Sequence, residues 1–196
     1  MSTSATKKST AGKTANDASR LAGRTIAILA TDGFEQSELM EPKRLLEEAG
    51  AVVSVISPGT ATQIKGWSKK DWGKSVDVDV ALSDADASDY DALVLPGGVM
   101  NPDKLRLEPA AISLVKAFGK AGKTIAAICH GPWTLIDADL VKGHTMTSWP
   151  SLRTDLENAG ATWEDREVIH DGQLITSRKP DDIPAFAKVL IDQLAA

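Results

Sequence analysis

Residues 123–133 read KTIAAICHGPW, and this stretch decides the fold. An apolar, strand-sized run (123–128) ends at Cys129, and a helix is expected within two or three residues. Pro132 suits the first helical turn, where its missing N–H costs nothing. Strand, sharp turn, nucleophile, helix is the logic of a nucleophile elbow. The elbow holds the thiol at a sheet edge, and a helix N-terminus there lowers the thiol pKa. It also sets the His130 N–H to donate to an oxyanion. A buried, inert cysteine is the competing reading, since free cysteines are among the most buried residues.

Outward from the elbow, strand and helix signals alternate. Residues 25–30 (TIAILA), 51–57 (AVVSVIS) and 92–95 (ALVL) read as buried strands, and 75–80 (SVDVDV) as a half-exposed one. Helical spacing spans 36–49, with a kink or restart expected at Pro42. It spans 110–121 as well, and recurs at Ile183, Phe186, Ala187, Leu190 and Leu194. Asp171-Gly172 marks a hairpin between 168–170 and 173–176. The pattern predicts an α/β fold: a mostly parallel, doubly wound sheet with helices on both faces. In such sheets sites form at strand carboxyl ends. Three polar or glycine-rich ends then converge: 32–35, 96–103 and 129–132.

The chain has 196 residues, enough for one domain but not two of ordinary size. The formal net charge of −5 argues against a nucleic-acid patch. No apolar run reaches the roughly 18 residues of a membrane span. Cys129 is the single cysteine, which excludes an internal disulfide and suits a reducing, cytoplasmic setting. Residues 1–23 are rich in Ser, Thr, Ala and Lys and read as a flexible basic tail before a single domain over 24–196.

Glu35 lies just after the first strand. Buried beside the thiol, it would stay protonated and donate to the sulfur; the position equally suits a carboxylate at a helix N-terminus. Gly97 and Gly98 imply either close backbone approach, with the Gly98 N–H as a second oxyanion donor, or a tight turn. His144 and His170 read as surface or structural residues. Trp67, Trp72, Trp149 and Trp163 read as core or interface residues.

With these residues in view, the chain resembles the PfpI family, within the superfamily of the Parkinson-disease protein and the class I glutamine amidotransferase-like fold. The matching pieces are DGFE (32–35), ALVLPGG (92–98), AICHGP (127–132), TSWP (147–150) and TSRKPDD (176–182). IKGW (64–67) and DWG (71–73) are similar to its bacterial stress-protein branch. The resemblance implies a flavodoxin-like three-layer sandwich, a homodimer or larger assembly, and no metal or organic cofactor. It implies Cys129 as nucleophile, Glu35 as its protonated partner, His130 as base, and Gly98 and His130 as oxyanion donors. Where some members use a Glu from the adjacent subunit to complete a triad, this chain has Asp103. Amidotransferases need a downstream His-x-Glu pair; His144-Thr-Met and His170-Asp-Gly do not supply it.

The expected activity is a stress-response, cysteine-dependent hydrolase or lyase acting on carbonyl adducts of damaged proteins or small dicarbonyls. An intracellular cysteine peptidase is the alternative, and a non-catalytic thiol sensor or holdase chaperone the further one.

Overall fold

The runs TIAIL, ALVL and TIAAI are apolar at every or nearly every position because both of their faces are covered. In the computed structural model, which describes residues 19–196, they form strands β1 (Thr25–Leu29), β6 (Ala92–Leu95) and β7 (Thr124–Ile128) at the centre of a seven-stranded sheet. Around them lie β2 (Val52–Ser57), β5 (Val80–Ala81), β10 (Val168–Asp171) and β11 (Leu174–Ser177). The order is β10-β11-β7-β6-β1-β2-β5, parallel except for the β10–β11 hairpin. Small two-stranded pairings are made by β3 (Gln63–Ser68) with β4 (Asp71–Asp77), and by β8 (Thr145–Met146) with β9 (Thr162–Trp163).

Strand alternation divides the core in two. Ile26, Ile28, Ala126 and Ile128 face one side, with Leu39 and Leu46 of α1 (Gln36–Glu48) and Ile183, Phe186 and Leu190 of α6 (Ile183–Leu194). Ala27, Leu29, Ile125 and Ala127 face the other, under Leu114, Val115 and Phe118 of α3 (Pro109–Lys120) and Leu135 of α4 (Pro132–Asp137). Each large apolar side chain so buried contributes roughly 1.5–3 kcal/mol. The result is the expected α/β three-layer sandwich. Two further short helices, α2 (Met100–Leu105) and α5 (Arg153–Asn158), lie on the second side.

Three local expectations are corrected. Helix α1 runs through Pro42 without a break. The segment 75–80 is not one strand: β4 ends at Asp77 and β5 is a two-residue edge strand. The hairpin turn falls on Gly172-Gln173, with Gly172 at φ +61°. Most of the tail expected at residues 1–23 lies outside the described residues; of residues 19–23, Leu21 packs on the domain and the other four are exposed. Leu21 is fully buried and its N–H donates to the Ala49 carbonyl at 2.8 Å.

The β3–β4 hairpin is fastened over the β1–α1 loop. Gly33 N–H donates to the Lys65 carbonyl at 2.8 Å, Trp67 N–H donates to the Phe34 carbonyl at 2.7 Å, and Asp32 Oδ1 accepts from the Lys65 N–H at 2.7 Å. Gly66 permits this approach, since a Cβ there would lie 2.9 Å from the Phe34 ring. Buried Asn101 joins two further site loops. Its Oδ1 accepts from the Thr31 N–H at 2.7 Å and its Nδ2 donates to the Pro96 carbonyl at 2.9 Å.

Candidate active site

Cys129 sits at the carboxyl end of β7 with φ +62°, a left-handed conformation that a non-glycine residue adopts at a cost. Its N–H donates to the Ser177 carbonyl at 3.0 Å and its carbonyl accepts from the Trp149 N–H at 2.9 Å. The turn needs glycine at 131, where a Cβ would lie 2.4 Å from the Leu95 carbonyl oxygen. This is the strained strand-to-helix elbow that the sequence implies.

The three strand ends do converge. Glu35, Glu38, Trp67, Gly98, Val99, Cys129, His130, Trp149 and Pro180 line a pocket of about 270 Å³. His130 Nδ1 is 3.2 Å from Cys129 Sγ, and its Nε2 is 3.4 Å from Ser151 Oγ. The imidazole is packed between Trp133, edge-on at 5.3 Å, and Trp149, stacked at 6.1 Å between ring centroids. Burial holds it below the ordinary histidine range, so it is a neutral base at pH 7.

The acid beside the sulfur is Glu38, not Glu35. Glu38 is fully buried on the inward stripe of α1 with Leu39, Pro42 and Leu46. Its Oε2 accepts from the Gly97 N–H at 2.9 Å, while Oε1 has no hydrogen-bond partner among the described residues. Burial first, with the nearby Glu35 charge adding to it, raises its pKa to about 8 against the lowering by its hydrogen bonds to Gly97 and Cys129. A carboxylic acid therefore faces the thiol at neutral pH. Glu35 stands at the N-cap of α1, outside the helix, and its Oε1 accepts from Ser37 Oγ at 3.0 Å. It lines the pocket mouth without meeting the sulfur.

The expected lowering of the thiol pKa is also corrected. Burial pushes Cys129 up, and a charged Glu38 would push it further; the Gly98 and His130 amides, which donate to the sulfur, pull it down. Helix α4 has only six residues, so its dipole is small beside the desolvation. Proton transfer from the thiol thus belongs to the moment of attack, with His130 as the acceptor in reach.

Of the expected oxyanion donors, Gly98 and His130 aim their amides at the sulfur. Gly97 does not, because Glu38 takes its N–H. Gly97 is instead the point of closest packing: a Cβ there would lie 2.6 Å from Glu38 Oε2, 2.7 Å from Cys129 Cβ and 2.8 Å from His130 N. Asp103 is exposed on α2, and among the described residues no hydrogen bond or ion pair links it to His130. The group nearest the outer nitrogen of His130 is Ser151. His144 lies 3.4 Å from Asp171, and His170 Nε2 lies 3.0 Å from the Gly172 carbonyl, both away from the pocket.

Sequence reasoning missed Glu38, Ser151 and the pocket walls Trp67, Val99, Trp149 and Pro180. Glu38 had a signal: with Pro42 and Leu46 it makes an i, i+4, i+8 row, so a carboxyl lay on the buried face. Ser151 had none, since it reaches the site only through the fold of the 147–152 loop. Among the described residues, no cluster of three or more His, Cys, Asp or Glu is arranged to hold a metal. No described helix is long and apolar enough to cross a membrane.

A strained cysteine at an α/β elbow, with a histidine and a buried acid in contact, defines a thiol-centred α/β protein of the enzyme-like kind. Residues 24–193 match the family model described as the DJ-1/PfpI family, and the chain belongs to that family. It is 44% identical over 165 residues to General stress protein 18 of Bacillus subtilis (strain 168), covering 84% of this chain and 94% of that protein. It is 39% identical over 174 residues to Protein/nucleic acid deglycase 2 of Escherichia coli (strain K12), covering 88% and 99%. Among solved structures, a two-domain protein from Anabaena variabilis with DJ-1/ThiJ/PfpI-like and ferritin-like domains superposes with a TM-score of 0.83 at 37% identity. That match covers 87% of this chain and 48% of the two-domain one, so this chain spans about half its length.

Proposed function

We propose that this protein is a cysteine-dependent enzyme that acts on carbonyl adducts or small dicarbonyls. The carrying observation is the buried contact set around one sulfur: His130 Nδ1 at 3.2 Å, the Glu38 acid, and two backbone amides. The deglycase relative is consistent with it. A pocket of about 270 Å³ suits a small carbonyl or the end of one modified side chain better than an extended polypeptide.

For methylglyoxal, Cys129 Sγ bonds to the aldehyde carbon as the thiol proton passes through His130. The carbonyl oxygen takes that proton from His130 and becomes the hydroxyl of a hemithioacetal, while the Glu38 acid and the amides stabilise the charge that develops on the oxygen. His130, again neutral, removes the C1 proton and returns it to C2 while the C1 hydroxyl proton passes to the C2 oxygen, so C1 is oxidised to a thioester as C2 is reduced to a carbinol. Water then cleaves the thioester and frees the thiol. One dicarbonyl and one water give one 2-hydroxy acid, with no external oxidant.

The test is consumption of methylglyoxal, and release of its adducts from arginine and cysteine model compounds, by the wild type and Cys129→Ala side by side. Turnover beyond one equivalent, lost at least about 10³-fold in the mutant, supports the reading. Wild-type silence on every carbonyl, with cleavage of peptides or sulfinic-acid formation at low peroxide, transfers the site to the peptidase or sensor reading.

A further inference from the structure

The approach to Cys129 carries one sign of charge. Glu35, Trp67, Val99, Trp149 and Pro180 surround it, and no Lys or Arg lines the pocket. Among the described residues Glu35 has no ion pair, and its carboxyl accepts only from Ser37 Oγ. Lys69 lines the adjoining hollow beyond Glu35, without an ion pair to it. The charge of Glu35 already reaches Glu38, the buried acid behind the sulfur. Two indoles complete the mouth: Trp149 is 40% exposed, and Trp67 is half-buried beside Glu35 through the bridge that joins these two residues.

A carboxylate that shares a pocket mouth with two indoles is complementary to a planar cation. Guanidinium matches both partners, because its N–H fork fits a carboxylate and its face stacks on an indole. A neutral thiol-derived adduct gains neither contact, and an anionic carbonyl is repelled. Resting on the reading above, we propose that Glu35, with Trp67 and Trp149, makes this a pocket selective for carbonyl adducts carried on cationic nitrogen, guanidinium adducts foremost. Glu35 is thus a specificity residue at the mouth, not the partner of the sulfur.

The experiment compares the wild type with Glu35→Gln and Glu35→Asp. Its first readout is kcat/KM for the methylglyoxal adduct of Nα-acetylarginine amide relative to that of N-acetylcysteine amide. Removing one unscreened charge at the mouth lowers this ratio about tenfold in Glu35→Gln, and Glu35→Asp retains most of it. The second readout needs no turnover: the rates at which Cys129 is modified by a cationic and an anionic methanethiosulfonate of matched size. The wild type favours the cation, the preference falls about tenfold in Glu35→Gln, and 0.5 M salt shrinks it in the wild type even if the variant fails to fold. Equal cation-to-anion ratios in wild type and Glu35→Gln, or no effect of salt on the wild-type ratio, overturn the proposal. Absence of adduct turnover with the charge preference intact counts instead against the enzymatic reading.

Discussion

Glu35 and Glu38 stand three positions apart and do opposite things because Glu38 is inside the first turn of α1 and Glu35 is at its N-cap position, outside the helix. Burial keeps Glu38 neutral, and this has a measurable sign. Below about pH 4.5 the group is protonated in both folded and unfolded chains. As pH rises towards about 8, the unfolded chain releases the proton and the folded one keeps it. A raised folded pKa therefore stabilises at low pH and loses that stability across the window from about 4.5 to 8, at up to about 1.4 kcal/mol per pH unit. Glu38→Gln removes the titration while keeping a donor near the sulfur. Urea unfolding at pH 5 and pH 8 is expected to show a steeper loss for the wild type than for Glu38→Gln; parallel losses would remove the buried acid from the site. The elbow itself was legible in Cys129-His130-Gly131-Pro132, because strained turns need particular residues. The choice between the two glutamates was legible only in part: the row Glu38, Pro42, Leu46 marks the buried face of α1, but nothing in sequence places that face against the sulfur.

Elements were legible where the chain is buried on both sides. β1, β6 and β7 fall within a residue of their expected bounds, because uninterrupted apolar runs have few other uses. β3 and β4 were not read as a hairpin: their outer faces are exposed and their hydrophobic pattern is weak. They matter through backbone bonds to the β1–α1 loop, which sequence does not display. The burial of Leu21, just before the expected start of the domain, was not legible for a related reason. One buried leucine in a polar stretch gives no periodic signal, yet Leu21 fills the layer containing α1 and α6. Leu21→Ala is expected to destabilise the protein by about 2–4 kcal/mol. Arg20→Ala removes only an exposed pair with Asp192 and is expected to change stability by less than about 1 kcal/mol. Equal, small effects in denaturant unfolding would make the segment an accessory rather than part of the fold.

At the scale of the whole molecule, the site is unevenly finished. The inner shell of Cys129, Glu38 and Gly97 is packed to contact, whereas the outer nitrogen of His130 meets only the Ser151 hydroxyl at 3.4 Å. A hydroxyl orients an imidazole but does not stabilise its protonated form as a carboxylate does. Asp103 is a carboxylate without a side-chain partner among the described residues, exposed on α2 near the exposed Val99 of the pocket rim. A homodimer that brings Asp103 of one copy to His130 of the other would supply the missing charge, as the family resemblance implies. Such an assembly has twice the 20.8 kDa chain mass, and its activity per chain falls on dilution below the dissociation constant. Asp103→Asn in the intact assembly is expected to lower kcat about tenfold and shift the acid limb of its pH profile, while Ser151→Ala leaves that limb in place. Sedimentation and kinetics on the same samples decide it: a monomer mass with dilution-independent activity, or an unaltered pH profile in Asp103→Asn, leaves Ser151 as the polar contact at the outer nitrogen of His130.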